Sequence, residues 1–180
     1  MELFLQKKTG PITGWVGYTL SWTQMKFEEL NYGRPFFARY DRRHDISIVG
    51  MYEVKKNVDF AVTWVYGTGN AVTAAQGYIP GNAHQMSRYP IVWRPKLQSA
   101  NNFVDFGYRN NFRMEAYHRL DLGLQFHKEK KSGTQTSEIS VYNAYNQANP
   151  FFYYGSSEEN GSTGEVNVSM KKVTLFPLIP

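Results

Sequence analysis

Arg43-His44-Asp45-Ile46-Ser47-Ile48-Val49-Gly50-Met51-Tyr52-Glu53-Val54, then Lys55-Lys56-Asn57, then Val58-Asp59-Phe60-Ala61-Val62-Thr63-Trp64-Val65-Tyr66-Gly67-Thr68 reads as two alternating segments about a short polar turn. Alternation with a period of two is the signature of strands, and a three-residue turn between two such runs makes a hairpin. One parity holds Ile46, Ile48, Gly50, Tyr52 and Val54, then Val58, Phe60, Val62, Trp64 and Tyr66. The other holds Asp45, Ser47, Val49, Met51 and Glu53, then Asp59, Ala61, Thr63, Val65 and Gly67. A tilted strand crosses a bilayer core with roughly 9–11 residues, and both arms are long enough.

Alternation alone does not say whether the apolar parity faces a protein core or lipid. A soluble β-sandwich or lipocalin-like barrel has the same pattern. The polar parity favours lipid, because it holds small and mixed residues such as Ser47, Ala61, Thr63 and Gly123 where a solvent face would carry Lys and Glu. The apolar parity also carries an expected aromatic girdle at each end. Trp22, Trp64 and Tyr66 are expected at the outer end, with Tyr18, Tyr52 and Phe126 toward the inner end. Leu20, Ile46, Ile48, Val62, Leu120, Leu122 and Leu124 fill the levels between.

Working outward from the hairpin, residues 2–8 and 14–24 read as strands about a Gly-Pro turn at residues 9–13. A polar loop spans about 25–42. After the hairpin, residues 69–117 scatter Gly, Pro, Asn and Gln without sustained period, and a loop of that length calls for a function. Residues 119–128 and 138–146 form another hairpin across Lys130-Lys131-Ser132-Gly133-Thr134. A third long loop, 147–165, precedes a seventh strand at 166–175, and Phe176-Pro177-Leu178-Ile179-Pro180 reads as the start of another tight turn. Connections thus alternate short and long. Lysine doublets 7–8, 55–56, 130–131 and 171–172 sit near the short ones, with Lys26 and Lys96 as exceptions, whereas all nine arginines sit in or beside long ones. A strand meander with two unlike rims has the form of an outer-membrane barrel.

Composition agrees with an interface-rich β protein. The 180 residues include 12 Phe, 13 Tyr and 4 Trp, 42% of them are hydrophobic, and only 19% are charged. Rings with one polar edge suit lipid headgroups or sugars. Absence of Cys removes disulfide frameworks and thiolate metal sites. No apolar run reaches the 18 or so residues of a spanning helix, so any membrane role uses strands. The start of the chain lacks signal-peptide character, so an exported protein would need residues beyond it. The net charge of +5 permits nucleic-acid binding, but the basic residues divide between two ends instead of forming one stripe.

Arg43-His44-Asp45-Ile46-Ser47-Ile48 is echoed by Arg119-Leu120-Asp121-Leu122-Gly123-Leu124. Arg and Asp two apart share the polar face, so the pairs Arg43/Asp45 and Arg119/Asp121 are expected at the mouth of a lumen. They could line a ligand path there, or pin the loop bases as an ionic ladder, the latter being the favoured reading. His44-Asp45 and His118-Arg119-Leu120-Asp121 lack the companions of a catalytic loop. His44, His84, His118 and His127 lack zinc-ligand spacing. Gly67-Thr68-Gly69-Asn70 lacks the glycine spacing and following helix of a phosphate loop. Asn160-Gly161-Ser162 and Asn167-Val168-Ser169 are glycosylation triplets in spelling only. Tyr32, Phe36, Phe37, Tyr40, Tyr78, Tyr89, Trp93 and Phe151-Phe152-Tyr153-Tyr154 put exposed rings in the long loops, for ligand binding or for loop packing.

Several segments carry a resemblance: Glu2-Leu3-Phe4-Leu5-Gln6-Lys7-Lys8-Thr9-Gly10, Gly14-Trp15-Val16-Gly17-Tyr18-Thr19-Leu20-Ser21, Tyr40-Asp41-Arg42-Arg43-His44-Asp45, Tyr66-Gly67-Thr68-Gly69-Asn70 and Val141-Tyr142-Asn143-Ala144-Tyr145-Asn146. Together they are similar to the C-terminal barrel of TonB-dependent outer-membrane receptors, over nearly the whole chain. The branch most resembled is the Bacteroidetes type with a carboxypeptidase-regulatory-like N-terminal domain. Phe176-Pro177-Leu178-Ile179-Pro180 resembles that family's last periplasmic turn.

The resemblance implies a barrel of roughly 22 strands with a plug, importing a bulky nutrient by energy relayed through TonB. It implies outer-membrane lipid, TonB acting through the plug and a surface lipoprotein as partners, with no nucleic acid, no cofactor and no covalent catalysis. The chain departs from that pattern in lacking the plug, the TonB box, about two thirds of the strands and the terminal aromatic strand, and no ligand-binding residue carries over. The expectation is therefore an all-β antiparallel meander of about seven strands, a partial barrel spanning residues 1–180 and joined by a remainder outside it. The strands are expected to form one curved antiparallel sheet with sequential neighbours paired and both outermost strands unpaired. The alternative is a soluble carbohydrate-binding β-sandwich or barrel using the aromatic loops.

Overall fold

The computed structural model describes residues 1–80, 102–159, 166–175, 177 and 179. Strands follow in the order β1 (Glu2–Lys7), β2 (Ile12–Leu20), β3 (Gln24–Met25), β4 (Phe36–Phe37), β5 (His44–Lys55), β6 (Val58–Gly67) and β7 (Ala71–Val72). Next come β8 (Gly77–Pro80), β9 (Asn102–Asp105), β10 (Phe112–Arg113), β11 (Tyr117–Lys130), β12 (Gly133–Val141), β13 (Pro150–Glu159) and β14 (Val166–Thr174). The long strands β1-β2-β5-β6-β11-β12 form one six-stranded antiparallel sheet in sequence order. The protein is all-β, and among the described residues no helix is long and apolar enough to cross a membrane.

Short turns join β1 to β2, β5 to β6 and β11 to β12, so these three connections share one end of the sheet. At the first, Gly14 has φ +152°, and a Cβ there would stand 2.2 Å from the Val49 carbonyl oxygen on β5. Only glycine lets the two backbones approach so closely. Lysines 7, 8, 55, 56, 128, 130 and 131 gather at this end. The opposite end carries the long connections.

Cross-strand register fixes what each face presents. On the apolar face, Leu3-Tyr18-Ile46-Tyr66-His118 lie in one row, and Leu5-Val16-Ile48-Trp64-Leu120 in the next. Below them run Gly14-Gly50-Val62-Leu122-Val141 and then Ile12-Tyr52-Phe60-Leu124-Ile139. Ile46, Val62, Trp64 and Leu122 are half-buried, while Leu5, Ile12 and Ile139 are 59%, 55% and 69% exposed. Among the described residues no second sheet makes a core with this face. The buried hydrophobic residues Phe36, Ala38 and Ala71 all lie at the long-connection end.

Several expected boundaries move. The seventh strand does not join the sheet, because β14 pairs with β13 along its length, within residues expected to be loop. The run Phe151-Phe152-Tyr153-Tyr154 has strand propensity of its own and opposes β14 in a separate hairpin. Ile179 bridges Tyr142 at the long-connection end of β12, so residues 177 and 179 do not lie at a short-turn end; Phe176, Leu178 and Pro180 lie outside the described residues. The Lys171-Lys172 doublet accordingly leaves the lysine rim and sits on β14. Strand β12 stops at Val141 instead of 146, since Asn143 and Asn146 take φ +55° and +53°, a left-handed geometry that Asn tolerates and a ladder does not. Strand β2 stops at Leu20 instead of 24, because Gln24–Met25 turn away to pair with Phe36–Phe37. The long loop 69–117 holds two small ladders, β7 with β10 and β8 with β9.

Candidate functional site

The long connections form a layer over one end of the sheet, pinned by side chains from the loop bases. Asp41, whose side chain is fully buried, accepts from the Thr23 N–H at 2.6 Å and forms an ion pair with Arg113 at 2.5 Å. Arg113 also donates to the carbonyls of Asp41 and Gly69, both at 2.9 Å. Its guanidinium stands 5.1 Å from the Phe37 ring centroid, and that of Arg43 stands 5.6 Å from it. Phe37 is thus contacted by two cations, an arrangement that orients the guanidinium groups through the ring quadrupole. Thr68 Oγ1 accepts from the His44 N–H at 2.8 Å and donates to the His44 carbonyl at 3.1 Å.

The expected ion pairs divide. Arg119 and Asp121 pair at 2.9 Å, and Arg119 donates to the hydroxyls of Tyr117 and Tyr142. Asp121 also accepts from the Asn143 N–H at 3.0 Å, and Asn143 in turn clasps Gln147 through two side-chain bonds. Arg43 and Asp45 do not pair. Asp45 meets Arg42 at 3.3 Å, and Arg43 faces the rings of Phe37 and Trp22. A cation closing on the loop-base rings leaves its neighbour to satisfy the carboxylate.

Of the expected girdle, Tyr52 lies opposite Phe60 near the short turns, and Phe126 opposite Val58. Trp64 and Tyr66 stack at 6.1 Å toward the long-connection end. Tyr18 lies there too, opposite Ile46, and not at the inner end: β2 ends at Leu20, which puts Tyr18 two residues from the strand's long-connection terminus. Trp22 lies past the end of β2, 58% exposed, at the loop base. The sequence reading missed two polar partnerships of the upper apolar row. Tyr18 OH meets His44 Nδ1 at 2.9 Å, and Tyr145 OH meets His118 Nδ1 at 2.9 Å. It also missed a relay on the polar face, where His127 bridges Asp59 and Thr136 at 3.0 Å each. The common parity of Asp59 and His127 was the available signal.

Between the loop segments opens a cleft of about 1090 Å³. Phe36, Tyr40, Phe106, Phe151 and Phe152 contribute rings to it, with Met25, Met114 and Met170 between, and Arg39 and Arg109 contribute the charge. Of the loop aromatics singled out in the sequence, Tyr153 and Tyr154 line it as well; Tyr32 instead packs edge-on against Tyr108, and the side chains of Tyr78, Tyr89 and Trp93 lie outside the described residues, as does Asn160-Gly161-Ser162. One wall is tethered by Lys172 on β14, which reaches Glu115 at 2.6 Å. That bond to the ammonium holds the Glu115 carboxyl below its ordinary value and raises Lys172 above its own. Among the described residues no cluster of three His, Cys, Asp or Glu could hold a metal.

The fold and site define an all-β protein whose single broad sheet carries a loop-built cleft at one end. No protein-family model matches the chain, and no curated protein or solved structure matches it.

Proposed function

We propose that the chain contributes six adjacent strands to an outer-membrane β-barrel of the TonB-dependent receptor type, with the loop layer forming part of the outer mouth through which a bulky nutrient is bound and imported. The observation that carries this reading is the position of the core. The sheet itself has a partly exposed apolar face and a polar face, while among the described residues the buried hydrophobic side chains, Phe36, Ala38 and Ala71, sit under the loops. In water such a face would be a large uncovered patch, whereas hydrocarbon would cover it. The outer edges of β1 and β12 are largely unpaired, and closure into a barrel is what removes such edges in a membrane. Lumen-side polar groups fit the same picture: Asp59-His127-Thr136 and Gln125-Glu138 satisfy one another as they would in a wet bore. The residues support binding and gating without covalent chemistry, and plug, TonB and a surface lipoprotein would be partners of the whole assembly.

Brominated-lipid quenching tests this directly. Trp64 lies on the apolar face and Trp15, paired across from Val49, on the polar one. In vesicles, chains retaining only Trp64 should be quenched strongly and chains retaining only Trp15 weakly. Equal quenching of the two, or a chain that stays monodisperse in plain buffer without lipid, would overturn the membrane reading and favour the soluble carbohydrate-binding alternative.

A further inference from the structure

The cleft differs from the rest of the loop layer in how its cations are used. Five described arginines are engaged: Arg34 with the Tyr108 hydroxyl and ring, Arg42 with Asp45, Arg43 with two rings, Arg113 with Asp41 and Arg119 with Asp121. The two that line the cleft, Arg39 and Arg109, are exposed, and among the described residues neither guanidinium has a carboxylate partner. Among the described residues no Asp or Glu lines the cleft. Nearby acids are occupied, since Asp105 accepts from the Gly107 N–H and Glu115 from Lys172, while Glu28 and Glu29 lie outside the lining.

Flat apolar surfaces line the same cleft, with room for a guest. Phe106, Phe151 and Phe152 are 52%, 61% and 46% exposed, although they sit in a concave wall. A volume of about 1090 Å³ is at the upper end of small-ligand sites. Aromatic rings hold a flat apolar face by stacking, and a guanidinium offers a planar fork that matches a carboxylate or sulfate. The geometry points to a cleft that selects an anionic ligand with one flat apolar face, bound by Arg39 and Arg109 at the charge and by the Phe106, Phe151 and Phe152 rings at the body. This deepens the receptor reading and rests on it for the cleft's exposure to the outside medium. An acidic sugar and an aromatic carboxylate share the required chemistry.

Calorimetric titration of the full chain in detergent micelles separates these sources with two matched pairs: 4-nitrophenyl β-D-glucuronide against its neutral glucoside, and 2-naphthoate against 2-naphthamide. The anionic member of at least one pair should bind about tenfold or more tightly than its neutral partner, with the preference shrinking as salt rises; the pair that shows it identifies the body. The double substitution Arg39→Gln with Arg109→Gln should abolish that preference, and Arg39→Lys with Arg109→Lys should keep most of it. Equal binding of charged and neutral probes in both pairs, or a preference that survives the Gln substitutions, would overturn the assignment. Lipid quenching of Trp64 reads the membrane topology independently, so a cleft that binds nothing and a sheet that avoids lipid are distinct failures.

Discussion

Arg113 forms an ion pair with Asp41 across 72 residues of chain, and the Asp41 side chain is wholly buried. This contact joins the loop before β5 to the loop before β11, so the two are one structural layer. Removing one partner of a buried pair leaves an uncompensated charge, which costs about 3–5 kcal/mol. Part of Arg113 meets solvent, which places Arg113→Met at the lower end of that range. Asp41→Asn keeps a hydrogen-bond acceptor for the Thr23 N–H and should cost less. Chemical denaturation monitored by near-ultraviolet circular dichroism checks the order of the two variants.

Gly69 gives a second, steric test of the same layer. A Cβ there would stand 1.9 Å from the Met114 carbonyl oxygen and 2.5 Å from that of Glu115, both backbone atoms that cannot rotate away. Gly69→Ala should therefore displace the segment around 114 and destabilise by about 1–3 kcal/mol or more, the range for overpacked sites. Gly155→Ala meets nothing within 4 Å and should be close to neutral. Proteolysis at the 106–116 segment, rapid in the first variant and unchanged in the second, is the measurement.

Val62 and Thr63 are neighbours on β6 that project to opposite faces. If the apolar face meets hydrocarbon, Val62→Arg should cost about 2–4 kcal/mol, whereas Thr63→Arg on the polar face should cost little. Urea titration in lipid vesicles compares them. Similar tolerance of both would count against the membrane placement.

The Glu115–Lys172 tether sets a pH window for the β13–β14 hairpin. The Glu115 pKa lies below its ordinary value because Lys172 donates to it, so its contribution is fully present above pH 4.5 and is lost as pH falls through the lowered value. Lys172 is raised by the same bond, so its contribution is present below pH 10.5 and is lost as pH climbs through the raised value. Amide exchange in β14 should accelerate at both extremes. Glu115→Gln should flatten the acid limb.

The relay His127 makes with Asp59 and Thr136, and the clasp Asn143 makes on Gln147, were not legible as partnerships, although each residue type was visible. Such contacts join segments whose register the chain does not announce. Arg43 shows the difficulty best. Its spacing to Asp45 suggested a pair, yet two rings from residues 22 and 37 outcompete the neighbouring carboxylate. Spacing describes one strand only.

What the chain alone determined is the local part: alternation in residues 43–68 dictates two amphipathic faces, and Gly, Asn and Lys mark the turns that reverse it. Side chains two apart share a face whatever the neighbours do, so the apolar rows could be written down from the letters. The tertiary structure decided everything that depends on which strand lies beside which. It moved Tyr18 to the loop end, gave β14 a partner in β13, gave Asp45 to Arg42, and among the described residues left Arg39 and Arg109 without carboxylates around a cleft. Those outcomes come from competition among distant groups for the same contact, and a distance through space is not encoded in a distance along the chain.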